Sequence, residues 1–150
     1  MNILEAIKQE SFDSSFEKAV VNLMYTHNWY RDKYKDIFKA ANLKVQHYNV
    51  LRILKGSKPK FISPGEIKEV MLDKSPDLTR LLDKLVEKGL VERNLCPENR
   101  RKMDVLITKE GENMLKQITK KQESLKKEQW CDFTEEEAEQ LSNLLDKFRS

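Results

Sequence analysis

Glycine and proline are scarce in this chain of 150 residues, four of each, and they fall at the apparent ends of segments, which argues against disorder. Cysteine is scarcer still. Cys96 and Cys131 are the only two, and their separation gives no metal-ligand spacing. His27 and His47 have no Cys, Asp or Glu at ligand spacing either, so no metal is expected. No apolar run is long enough to cross a bilayer. The start, Met1-Asn2-Ile3-Leu4-Glu5, lacks the basic stretch and apolar core of a signal peptide. A cytoplasmic protein with no membrane partner is expected. A Ser-His-Asp arrangement, a glycine-rich phosphate loop and a paired-carboxylate pocket are also missing, so neither catalysis nor a cofactor is expected. There is no internal repeat and no low-complexity tract.

What is present is charge and helical periodicity. Charged residues make up 35% of the chain and hydrophobic ones 39%, a composition suited to a helix-rich domain with apolar residues to spare for an interface. The net charge of +3 decides nothing by itself, but its distribution is informative. Between Arg93 and Lys102 stand Arg93, Arg100, Arg101 and Lys102 against Glu98 alone. Such a local excess is suited to phosphate.

That patch ends the most ordered stretch of signals, from Ser63 to Gly111. Ser63 and Glu66 form a capping box, with Pro64 at the first helical position. Ser75-Pro76 repeats the signal, and Asp77 sits near the positive end of a second helix. In that helix Leu78, Leu81, Leu82, Leu85 and Val86 share one face, while Arg80, Asp83 and Glu87 point away and Thr79 and Lys84 flank them. Gly89 can take the left-handed conformation that stops it. Leu90–Arg93 and Met103–Ile107 read as strands joined by a loop carrying Arg100, Arg101 and Lys102. Phe61-Ile62 is a candidate third strand. Two capped helices and a hairpin with a basic tip are the pattern of a winged helix-turn-helix. The fold class expected is therefore mainly α with a small β-wing.

The flanking segments are helical. A long helix from about Ser14 to Ala41 carries Phe16, Ala19, Val20, Leu23 and Met24, then Tyr34, Ile37 and Phe38. A second, from about Lys44 to Lys55, places Val45, Tyr48, Leu51 and Leu54 on one side. Thr108 caps a helix running to about Gln129, and Thr134 with Glu137 opens a last one bearing Ala138, Leu141, Leu144, Leu145 and Phe148. These terminal stripes, with Ile3, Leu4 and Ile7, exceed what one chain can bury, so a homodimer is expected. The single domain, 1–150, divides into a winged lobe over about 44–108 and dimerisation helices over about 1–41 and 109–150.

From Leu78 to Arg93, then Pro97-Glu98-Asn99-Arg100-Arg101 and Val105-Leu106-Ile107-Thr108-Lys109-Glu110-Gly111, the chain resembles the MarR family of bacterial transcription regulators. The resemblance implies a homodimer on double-stranded DNA at a pseudo-palindromic operator, a repressor by expectation. Ser75, Thr79 and Arg80 would lie at the major groove or its phosphates; Asp77, as a cap or an acceptor from a cytosine amino group, and Lys84 on the flank are further candidate DNA contacts. Arg101, between Arg100 and Lys102, would be the minor-groove arginine. Asn99 departs from the aspartate that often stands there, and so brings no charge to the wing arginine. The resemblance also implies a pocket for a small aromatic acid effector near Trp29, Tyr30, Tyr34 and His47. Plain core and dimer packing is the competing reading of those aromatics. Two other readings stand beside DNA regulation: a winged module that binds only protein, and a thiol sensor using Cys96, whose neighbours Arg93 and Arg100 favour thiolate.

Overall fold

The computed structural model describes residues 1–96, 99–129 and 132–150, the side chains of residues 96, 99–102 and 129 excepted. Trp130, Cys131 and the side chains of Cys96, Arg100, Arg101 and Lys102 thus lie outside the described part. Among the described residues the order is α1 (Ile3–Ile7), α2 (Ser15–Ala40), α3 (Val45–Ser57), α4 (Pro64–Val70), α5 (Leu78–Glu87), β1 (Val91–Cys96), β2 (Asn99–Ile107), α6 (Lys109–Gln129) and α7 (Glu135–Arg149).

The helices begin where local chemistry tells them to. Ser63 Oγ accepts from the Glu66 amide, and the Glu66 carboxylate accepts from the Ser63 amide at 2.8 Å. Thr134 and Glu137 repeat this at α7. Thr108 Oγ1 accepts from the Gly111 amide at 3.0 Å, as the cap of α6 should. The second helix of the winged unit departs from expectation. Its cap is Asp77, whose Oδ1 accepts from the Thr79 and Arg80 amides at 3.0 and 3.4 Å. Ser75 stands two residues too early to serve.

One core joins the winged lobe to the inner part of the arms. Val50, Leu51 and Leu54 of α3 lie at its centre, packed with Ile67, Leu82, Leu85, Val91, Val105 and Ile118. Each fully buried aliphatic side chain contributes about 1.5–3 kcal/mol of transfer free energy. Val86, expected on the inner face of α5, is instead exposed. From α2 only Tyr34, Ile37 and Phe38 enter the core, and α7 buries none of its residues. Phe16, Leu23, Met24, Leu141, Leu144 and Phe148 are left exposed, although Phe16 and Phe148 stack on each other at 5.7 Å.

The hairpin pairs antiparallel, from Val91 opposite Ile107 to Leu95 opposite Met103, and then slips so that Cys96 faces Asn99. Between the Leu95–Met103 and Cys96–Asn99 pairs, β2 holds three residues with no partner among the described residues of β1. They are Arg100, Arg101 and Lys102. An irregularity of this kind bends the strand that holds it. Phe61-Ile62 contributes a single bridge, Ile62 to Val105, in place of a full strand.

One imidazole and one carboxyl group tie the lobe's acid tolerance to its packing. His47 is buried, and its Nδ1 accepts from the Lys44 amide at 2.9 Å. Burial first, then the positive charge of Lys44, Lys84 and Lys88, pushes its pKa below the ordinary value of 6.5. An unfolded chain therefore takes up that proton first, and the stability from neutral His47 is lost as pH falls through about 6.5. Glu112 on α6 binds Lys55 at 3.1 Å and also Lys58, and these bonds hold its carboxyl at about 2, below the ordinary 4.5. Its share of stability is complete above 4.5 and goes as pH drops toward 2. The melting temperature should therefore decline between about pH 7.5 and 5.5, and a His47→Gln variant should flatten that decline. An unchanged slope in the variant would remove His47 from the account.

Candidate nucleic-acid interface

The outward face of α5 carries Thr79, Arg80, Asp83 and Glu87, all exposed. Three carboxylates on or beside this face look ill-suited to DNA, and the structure gives each of them other work. Asp77 is the cap, with its second oxygen 3.7 Å from Arg80 Nε. Asp83 binds Arg93 of β1 at 2.6 Å, and Arg93 also donates to the Thr79 carbonyl at 3.3 Å. Arg93, counted in the basic patch, is thus spent on fastening the wing to α5. Glu87 pairs with half-buried Lys84 at 3.1 Å. Arg80 remains the most outstretched cation of the helix, with 88% of its side chain exposed. Its pairing with Asp77 is solvent-screened and worth little.

The turn before α5 is tied down at several points. Asp73 Oδ1 accepts from the Ser75 amide at 3.0 Å and hydroxyl at 2.6 Å, and Oδ2 accepts from Gln46 Nε2 at 3.2 Å. Asn49 Oδ1 accepts from the Leu72 amide at 2.9 Å, and Lys68 Nζ donates to the Pro76 carbonyl at 2.6 Å. Sequence reasoning misses Asp73, Gln46, Asn49 and Lys68. Only the Asp73-Lys74-Ser75 spacing, an Asp whose side chain can take the amide two residues on, carries a local signal.

Behind the helix a joint connects lobe to arm. Gly89 takes φ +69° and ends α5. Thr108 Oγ1 donates to the Gly89 carbonyl at 2.6 Å, and its amide donates to the Leu90 carbonyl at 3.1 Å. Gly111 lies directly on that Leu90 carbonyl.

The residues expected to line an effector pocket differ in their placement among the described residues. Tyr34 and His47 are buried in the core, and Tyr30 stacks on Tyr34 at 4.3 Å. Burial raises the pKa of both tyrosines. Trp29 instead lines an open groove of about 570 Å³ with Tyr25, Asn28, Asp32 and Asp36, on another face of α2. No group of three or more metal-ligating side chains forms among the described residues, and no helix there is long and apolar enough to cross a membrane.

A helix presented outward, a tethered preceding helix and a hairpin fastened beside it define the winged helix-turn-helix class of transcription regulator. The sequence profile of the MarR family matches residues 41–102. A MarR transcription factor from Planctomyces limnophilus is 31% identical, with 91% of this chain and 98% of that one aligned and a TM-score of 0.68. The chain belongs to the MarR family, whose members regulate transcription and are not enzymes. It is also similar to a mutant MarR from E. coli solved in complex with operator DNA, 27% identical over 92% of this chain and 99% of the other, TM-score 0.71. The HTH-type transcriptional regulator PapX of Escherichia coli is 30% identical over 104 residues, 69% of this chain but only 63% of its own length.

Proposed function

We propose that the protein works in the cytoplasm as a homodimeric repressor that reads a pseudo-palindromic operator in double-stranded DNA. The observation that carries this reading is the α5 face, where outstretched Arg80 and exposed Thr79 stand beside carboxylates already engaged elsewhere. In this assignment α5 enters the major groove, with Ser75, Asp77, Thr79, Arg80 and Lys84 at base edges or phosphates. Arg101, flanked by Arg100 and Lys102 on β2, reaches the minor groove. Occupying a promoter excludes the polymerase, which is the simplest route to repression.

Selection from random duplexes followed by mobility shift tests it. Symmetric sites should emerge, with half-sites about 34–36 Å apart. Arg80→Ala should change the ranking of sites, or weaken all evenly and flatten the salt dependence of log affinity by about 0.9 per lost phosphate contact. Arg101→Ala should cost about 1–3 kcal/mol per half-site and relax A·T preference at the flanks, since minor-groove edges distinguish little else. Retention of no duplex over any other would overturn the proposal. A wing that tolerates Arg101→Ala without loss would confine reading to α5.

The half-exposed ring of Tyr30 over Tyr34 favours one addition, release by an aromatic acid that stacks there. Such a ligand must prefer the state that does not bind DNA, because equal affinity for both shifts nothing. Calorimetry with simple aromatic carboxylates, showing neither heat nor loss of the DNA complex, would dispose of it.

A further inference from the structure

We propose that Asp73 is a positioning residue for DNA reading: by binding Ser75 and Gln46 together it sets the turn that delivers the first turn of α5 to the groove. This rests on the DNA-reading function proposed above. Apolar packing does little to hold the middle of the turn. Leu72 is 91% exposed, and Asp73, Lys74 and Ser75 are exposed as well. A segment with so few apolar contacts opens readily unless polar bonds restrain it. Here the restraint converges on one carboxylate, which takes both the amide and the hydroxyl of Ser75 and reaches across to α3 through Gln46. The Asn49 bond to the Leu72 amide and the Lys68 bond to the Pro76 carbonyl secure the turn on either side.

A carboxylate at this place is costly to a DNA-binding face. It repels phosphate, and its hydrogen bonds from Ser75 and Gln46, with nearby Lys68, hold its pKa below the ordinary carboxylate range, so it stays charged near neutrality. The hydroxyl of Ser75, which by resemblance would meet DNA, is spent on Asp73 in this arrangement. What Ser75 offers the groove is then its placement and its lone pairs, and Asp73 decides both.

Two substitutions separate charge from placement. Asp73→Asn keeps an acceptor for Ser75 and removes the negative charge, so every duplex should be bound more tightly by one common factor, with site ranking unchanged. Asp73→Ala removes the acceptor. It should lower the ratio of selected-site to unrelated-duplex affinity by about tenfold, of the order that one misread base pair costs. Unrelated-duplex affinity should not fall. In the free protein, Asp73→Ala should also speed hydrogen exchange at the Ser75 amide while exchange in the buried part of α3 stays as in wild type. A purely structural role would lower the melting temperature and speed exchange throughout. An Asp73→Ala protein with the wild-type specificity ratio, or with unchanged exchange at Ser75, overturns the inference. Wild-type protein that selects no site overturns the function on which it rests, whatever the exchange result.

Discussion

Gly111→Ala is expected to lower the melting temperature by about 6–12 °C, the consequence of roughly 3 kcal/mol of overpacking in a domain of this size. A methyl group added there would sit 2.1 Å from the Leu90 carbonyl oxygen and 2.7 Å from Ile107 Cγ1. A side chain can swing aside, but the Leu90 carbonyl is backbone and accepts the Thr108 amide. Moving it breaks the joint between α5, the wing and α6 together. Gly65→Ala is the control. Its added methyl would find only Ser63 Oγ, at 3.9 Å, so it should be neutral or stabilise by about 0.4–1 kcal/mol through the unfolded chain. Thermal denaturation of the two variants checks the contrast. Equal melting temperatures would show that the joint yields where close backbone contact should forbid it.

Replacing Leu141 and Leu145 by Asp should abolish the dimer and, with it, high-affinity binding. The helix that carries them buries no residue in its own chain, and Leu141, Leu144 and Phe148 are exposed. Covering several such side chains is worth about 1.5–3 kcal/mol each, so a second copy has much to gain by docking. Introducing two charges on that stripe reverses the gain. Because linked half-site contacts raise avidity by about 10²–10⁴ without new bonds, the monomer should bind an operator at least about 100-fold more weakly. Sedimentation of wild type and variant, paired with mobility shift, tests both steps. A wild-type monomer at micromolar concentration would refute the dimer outright. A variant that remains dimeric would place the interface elsewhere.

How much of this was legible beforehand follows from the range of each interaction. The Ser63, Thr108 and Thr134 caps act over three residues, and the sequence displays them directly. The leucine stripe of α5 and the stop at Gly89 are local in the same way. Where two local signals competed, as Ser75 and Asp77 did for the head of α5, spacing alone did not choose. Packing placed Leu78 inside and left the Asp77 side chain beside the free amides. Cross-element choices were out of reach. Nothing near Asp83 announces Arg93, ten residues on in another element, and so a carboxylate that looked hostile to DNA proved to be a strut. The burial of His47 and its bond from the Lys44 amide were likewise out of reach, since periodicity does not reveal them. The Asp73 cluster needed α3 to be folded against the turn before Gln46 could meet it.

The strut from Arg93 to Asp83 and the Thr79 carbonyl has a consequence for the DNA itself. In the proposed complex, a wing strand fastened to α5 by these two bonds would act as a caliper of set gap. Widening to follow a duplex whose two grooves present themselves at another separation would require breaking them. One base pair inserted between the flank and the core of a half-site turns the flank by about a tenth of a revolution. The duplex would have to absorb that rotation by unwinding. Stiff A-tract spacers resist such unwinding, while pyrimidine–purine steps grant it cheaply. Spacer stiffness would then rank operators at positions that no side chain touches.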